Sequence, residues 1–201
     1  MRREQIASTG AEFMARKKGK GGGKRKRSQQ RAQYDELDKY PVIPPHAFAR
    51  IVRDKQTLNI LYQIIEPPMT KKEQEQREEI MDIFIRSLTA NIEEIDADPD
   101  AYLRTALDKV IKSYGMKINK KSKSKMFYYL RRDLIGYGKM DMMMHDINVE
   151  DISLDGTNVP IFAYHRKFES VETTCVWETD AELESYVIKL AQRCGKHISV
   201  A

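Results

Sequence analysis

Cysteine is scarce in this chain: Cys175 and Cys194 are the two in 201 residues, and neither stands in a C-x-x-C pair. Two such residues make neither a disulfide framework nor the ligand set of a structural zinc site. They read as small apolar side chains of a reduced protein. The four histidines, His46, His145, His165 and His197, show no H-x-H or H-E-x-x-H spacing, so a zinc centre is not expected. Long apolar runs are missing as well. Nothing nears the ~18 consecutive apolar residues of a membrane span, and the opening MRREQIAST has no apolar stretch of the signal-peptide kind, which points to a cytoplasmic protein. Catalytic signatures are absent too. A phosphate-binding loop ending at Lys24 would need Gly at 18 and Ser or Thr at 25, where the chain has Lys18 and Arg25; no G-x-S-x-G and no Ser/His/Asp constellation occurs.

What is present begins with charge, and it is unevenly placed. Residues 1–33 hold 11 Lys/Arg against 2 Asp/Glu, a net +9, which leaves 24 against 28, a net −4, for the other 168. The high pI of 9.0 therefore belongs to one end, while the body is mildly acidic. In ARKKGKGGGKRKRS the basic residues alternate with glycines and nothing apolar anchors a core, so residues 1–39 read as a disordered basic tail. Lys17, Lys18, Lys20, Lys24, Arg25, Lys26 and Arg27 are its candidate anion-binding residues, able to meet lipid headgroups or phosphates, against the plainer reading of a solvated tail.

Beyond the tail, Ala47–Arg53 and Leu58–Ile65 read as two strands joined by a polar turn, with Pro41, Pro44 and Pro45 keeping the entry extended. Thr70 and Glu73 form a capping box, and Ile80, Phe84, Leu88 and Ile92 then recur at helical spacing on a face expected to pack on that hairpin. Asp98-Pro99 opens a second helix with an apolar stripe from Leu103 to Tyr114, stopped by Gly115. Ser122 or Ser124 is the expected start of a third, which carries Met126, Phe127, Leu130 and Leu134 and stops at Gly136 and Gly138.

Asn148–Trp177 is the densest β signal. Val149–Leu154 and Val159–Tyr164 flank the turn residues Asp155-Gly156, and Ser170–Trp177 alternates Val171, Thr173, Cys175 and Trp177 on one side. Thr179 with Glu182 caps a further helix, with Leu183, Val187, Leu190, Ala191 and Cys194 at helical spacing before Gly195. The fold class is α+β: an N-terminal hairpin with a helical layer over residues 40–138, then a small antiparallel sheet with a covering helix over 139–201.

Candidate chemistry is sparse. Met140, Met142, Met143 and Met144 suit core packing better than a soft-metal site. Glu150 and Asp151 are adjacent on a strand and point to opposite faces, so they cannot grip one ion. His165 and Arg166 end a strand, where a cation could reach a phosphate or a neighbouring subunit's carboxylate. Arg193, Lys196 and His197 could do the same from a helix end, where the helix dipole already favours cations.

At these residues the chain acquires a resemblance. EDISLDG at Glu150–Gly156, then PIFAYHRKFESVETTCVW, the helix ending LAQRCGKHISVA, and LRRDLIGYGKMDMMMHD at Leu130–Asp146 resemble the region before the nucleotide-binding core of archaeal ATPases of the type II/type IV secretion superfamily. The likeness runs from about Tyr40 to Ala201. It implies the N-terminal region of a cytoplasmic, hexameric ATPase at the inner face of the membrane, one that powers pilus or archaellum assembly or protein secretion. The partners it implies are the motor's own C-terminal core, other copies in a homo-hexamer, and a polytopic membrane platform protein. ATP and Mg belong to the full-length parent and no cofactor to these 201 residues; His165, Arg166, Arg193 and Lys196 are then candidates to face nucleotide or a neighbouring protomer. Lacking the phosphate-binding loop, the chain should be inactive alone. A basic-tailed nucleic-acid-binding αβ module is the alternative, less favoured because the tail has no interleaved aromatics and the body is acidic.

Overall fold

The computed structural model describes residues 33–87 and 98–196. The basic residues from Lys17 to Arg27, the expected helical positions Leu88 and Ile92, and His197 lie outside the described residues.

The fold is α+β, with a six-stranded mixed sheet in the order β1-β2-β3-β6-β5-β4 and five α-helices among the described residues. The strands are β1 (Tyr34–Ile43), β2 (Ala47–Asp54), β3 (Ile60–Ile65), β4 (Val149–Ser153), β5 (Pro160–His165) and β6 (Glu169–Val176). The helices are α1 (Lys71–Ser87), α2 (Pro99–Ser113), α3 (Lys120–Leu130), the short α4 (Asp141–His145) and α5 (Asp180–Arg193). β5 and β6 pair antiparallel, in keeping with the expected antiparallel sheet, while β3 runs parallel to β6 with Leu61 opposite Glu172 and Tyr62 opposite Thr173. That parallel seam joins what reads in sequence as two separate β regions. The polar strands take the edges: Asp35, Glu36, Asp38 and Lys39 on β1 and Glu150 and Asp151 on β4, charges of the kind that discourage edge-to-edge pairing.

β1 starts at Tyr34, inside the stretch read as tail. Its continuation through Pro41 is possible because an edge strand can spare an N–H. The β2–β3 turn is held by Asp54, whose carboxylate accepts the Gln56 and Thr57 N–H groups at 2.7 and 3.2 Å and the Gln33 amide at 3.3 Å. Leu58 there sits at φ +62 and is 69% exposed, a strained position for a non-glycine residue that lies in the turn, so β3 begins at Ile60 rather than at Leu58.

The chain forms two compact units that do not follow chain order. One comprises residues up to Lys39, Arg50–Gln63 and Glu150 onward; the other comprises Tyr40–Ala49 and Ile64–Val149. The boundaries expected after residues 39 and 138 differ from these, since β1, β2 and β3 each supply residues to both units.

In the helical unit, Ile80 and Phe84 of α1, Leu103 and Leu107 of α2, and Met126 and Leu130 of α3 form one buried cluster. Each such side chain contributes roughly 1.5–3 kcal/mol. α1 opens with the full reciprocal capping box: Thr70 N–H donates to Glu73 Oε2 at 2.7 Å and Glu73 N–H to Thr70 Oγ1 at 3.2 Å. α2 opens on Asp98, which accepts the Ala101 N–H at 3.0 Å. α3 begins earlier than expected, because Asn119 is its cap and accepts the Ser122 N–H at 2.9 Å. Ser122 is instead buried and donates its hydroxyl to Glu73 Oε1 at 2.7 Å.

In the sheet unit, Val171, Thr173, Cys175 and Trp177 are all buried, as the alternation implies. α5 follows with Thr179 as cap, accepting the Glu182 N–H at 3.2 Å, and Tyr186 lies against Trp177 with ring centroids 4.8 Å apart. No residue of α5 is fully buried, and Val187 and Ile188 remain 38% and 36% exposed.

Candidate functional site

The β4-to-α5 segment is where the sequence places its candidate cations. Adjacent residues of a strand face opposite ways, and His165 and Arg166 do so at the end of β5. His165 is 2% exposed, so the expectation that it presents a surface cation is corrected. Its Nδ1 accepts the Lys167 N–H at 3.1 Å and its ring lies 5.1 Å from that of Phe168, so it is a core residue that shapes the β5–β6 turn. Arg166 is exposed and pairs with Glu150 of β4 at 3.0 Å. Glu150 thus has a partner within the chain. Arg193 and Lys196 are both exposed at the C-terminal end of α5, beside Gly195 at φ +66, where the Lys196 N–H caps Ala191 O at 2.9 Å.

The turn between β4 and β5 is tied to the start of α5. Asn158 N–H donates to Trp177 O at 2.7 Å and Thr157 Oγ1 donates to Asp180 Oδ1 at 2.7 Å. Gly156 at φ +131 occupies a conformation other residues rarely take, which is why the Asp155-Gly156 signal is legible. Glu172, on the central strand β6, lies between Leu61 and Phe162 on its neighbours, and burial raises its pKa.

The helical unit holds a denser charged cluster that sequence reasoning did not find. Arg132 donates to both oxygens of Glu66 at 2.9 and 2.7 Å and to Asp133 at 2.7 Å, and stacks 4.9 Å from the Tyr129 ring. Tyr128 Oη donates to Glu66 at 2.8 Å and Tyr129 Oη to Pro67 O at 2.7 Å. Burial alone would lower the Arg132 pKa, but Glu66 and Asp133 outweigh it and raise it. Burial and Glu66 raise both phenols, that of Tyr129 to about 12. The cluster sits where α3 passes into a π turn at Arg131–Ile135, an unwinding that re-aims Arg132 and Asp133. Only the run Arg131-Arg132-Asp133 hinted at it, and its partner Glu66 is 66 residues away.

A separate and buried carboxylate, Glu73, accepts from the Thr70 N–H, the Ser122 hydroxyl and the Lys125 ammonium, the last at 3.0 Å. These contacts, the Thr70 N–H first, hold its pKa down to about 2 against burial. Past the π turn, Asp141 is 1% exposed and accepts the Tyr137 N–H at 2.8 Å, and a Cβ on Gly136 would lie 2.3 Å from its Oδ1. The GYGKMD stretch is therefore a locked turn. Met140, Met142 and Met143 are buried within it, as packing predicts, while Met144 is 45% exposed.

Every one of these clusters pairs acids with bases or with amides; among the described residues, no three His, Cys, Asp or Glu side chains are grouped to hold a metal ion. No described helix is long and apolar enough to cross a membrane. The arrangement is that of an α+β scaffold with internally neutralised charge and an exposed amphipathic helix.

No family model matches the chain. It is similar to two uncharacterized proteins of Methanocaldococcus jannaschii. MJ1288 is 38% identical over 141 residues, covering 70% of this chain and 56% of that protein. MJ0900 is 28% identical over 167 residues, covering 81% of this chain and 29% of that protein. The chain thus spans about half the length of the first and under a third of the second.

Proposed function

We propose that this chain is the N-terminal, non-catalytic region of a cytoplasmic hexameric secretion ATPase, joined in the parent protein to a core that binds ATP and Mg. The parent drives assembly of a pilus or archaellum, or protein secretion, through a polytopic membrane platform protein. The observation that carries the reading is α5. It directly follows the EDISLDG sheet, has its apolar residues at helical spacing, and buries none of them fully. An amphipathic helix of this kind is stable mainly through what packs on its apolar side. In the proposed parent that partner is the nucleotide-binding core. The match to MJ0900 is in keeping with this, because there the same stretch occupies a minor part of a much longer chain. Arg166, Arg193 and Lys196 remain the candidates to face nucleotide or a neighbouring protomer; Arg166 would do so by exchanging Glu150 for the new partner.

The test is expression of the reading frame continued past Ala201. The extended protein should contain a phosphate-binding loop, hydrolyse ATP and sediment as a hexamer, while residues 1–201 alone do neither. A stop codon directly after Ala201, or an extended protein without nucleotide binding, overturns the reading.

A further inference from the structure

The turn between α2 and α3 carries a concentration of exposed lysine. The two helices are registered by successive cross-helix contacts at four-residue steps. Arg131 Nε bonds Asp100 at 2.8 Å, the Arg104 guanidinium lies 3.9 Å over the Phe127 ring, and Lys123 pairs with Asp108. One step further along this ladder come Lys112 on α2 and Asn119 and Lys120 on α3. There the opposite charges stop: residues 109–125 contain no Asp or Glu. Lys123 is taken by Asp108 and Lys125 by Glu73. Lys109, Lys112, Lys117, Lys120 and Lys121 are all exposed, and none has an ion-pair partner among the described residues.

Two further features mark this surface. α3 has no acid in its first turn, and Lys120 and Lys121 occupy its first two positions, where the helix dipole disfavours cations by roughly 0.3–1 kcal/mol each. The turn that presents them is also held in one shape. Gly115 sits at φ +60, with Met116 N–H on Ile111 O at 3.0 Å and Gly115 N–H on Lys112 O at 3.3 Å. Tyr114, 60% exposed, projects from the same turn, and Glu79, Asp82 and Arg86 of α1 lie beside it.

We propose that the α2–α3 turn is a docking surface for an anionic phospholipid membrane. A protruding turn meets a flat surface without needing a groove. Its five exposed cations, unpaired among the described residues, are all lysines, long-stemmed point charges suited to diffuse headgroups rather than the bidentate forks that arginine offers nucleic acid. A tyrosine among lysines is also the side-chain pairing found at membrane interfaces. These lysines are separate in sequence from the basic N-terminal residues, and the surface they form does not depend on the ATPase reading.

The test uses the full chain in co-sedimentation with vesicles of phosphatidylcholine alone and of phosphatidylcholine mixed with phosphatidylglycerol. The triple variant Lys117→Gln/Lys120→Gln/Lys121→Gln should lose on the order of 100-fold in partitioning to the anionic vesicles, since each surface lysine contributes about 1 kcal/mol. Because the substitutions remove adverse charges from the start of α3, circular dichroism should show an unchanged fold. A charge-matched control, Lys55→Gln/Lys71→Gln/Lys72→Gln, should lose less than about tenfold. Tyr114→Trp should show a blue-shifted emission on adding anionic vesicles and none with neutral ones. Equal losses in the two triple variants, no emission shift, or a loss confined to binding of a DNA or RNA oligonucleotide would each overturn the proposal.

Discussion

Among the described residues the most withdrawn ion pairs belong to the helical unit, while the pairs of the sheet unit lie nearer to solvent. In the helical unit, Glu66, Arg132, Glu73 and Lys125 are largely withdrawn from solvent and joined through multiple hydrogen bonds. In the sheet unit, Arg166–Glu150, Lys55–Asp35 and Lys167–Asp38 lie mostly in water, and the strands are held by backbone ladders and by the alternation of β6. The difference teaches where a charged residue sets structure and where it is free to change partner. A withdrawn carboxylate whose lone pairs are all used cannot leave without stranding its partners. An exposed pair of the Arg166–Glu150 kind contributes little, so exchanging it for a nucleotide or a neighbouring subunit costs little.

The largest expected effect is at Arg132. Arg132→Met removes the cation between Glu66 and Asp133 and should destabilise the protein by about 3–5 kcal/mol, read as a fall in thermal or denaturant midpoint. A loss below about 1 kcal/mol would erase the contrast between the units. Next comes Gly136→Ala, whose Cβ would meet Asp141 Oδ1 at 2.3 Å and Arg132 O at 2.8 Å. Asp141 is buried and bonded to the Tyr137 N–H, so it cannot swing aside, and the cost should be roughly 1–3 kcal/mol.

Glu73 sharpens the comparison through pH. Its carboxyl is held to about 2 in the folded chain against an ordinary 4.5, so its contribution is fully present above pH 4.5 and is lost as pH falls through about 2. Melts of the native protein should therefore show a loss over that window that Glu73→Gln lacks, the variant having already lost about 1–3 kcal/mol at neutral pH. Identical acid profiles for the two proteins would place the charge of Glu73 outside the stability of this unit. The smallest effect is expected for Arg166→Ala, less than about 1 kcal/mol and vanishing at high salt. A large loss there would mean that the sheet depends on its surface ion pairs after all.

Legibility in the sequence followed the range of the interaction. The caps at Thr70, Asp98 and Thr179, the glycine stop at Gly115, the alternation of Val171 to Trp177 and the turn at Gly156 all depend on neighbours within a few residues, and all appear where the spacing puts them. β1 is not legible because its charged pattern resembles a solvated segment, and only the sheet edge makes that pattern suitable. The start of α3 is ambiguous in sequence because Asn119, Ser122 and Ser124 are all competent caps, and Ser122 is claimed by Glu73, 49 residues away. His165 and Arg166 look alike as cations in sequence, but the pleat sends one inward and the other to solvent.

By itself, then, the sequence determined the α+β class, most strand and helix limits, and the separation of a basic N-terminal segment from an acidic body. Each of these follows from local dihedral preference and apolar period. Tertiary structure alone decided the parallel β3–β6 seam that makes one sheet of two β regions, the interleaved units, the Glu66–Arg132–Asp133 cluster and the cross-helix ladder that registers α2 against α3. These depend on residues brought together across tens to more than a hundred positions, where the free energy lies in desolvation and pairing that no window of the chain contains.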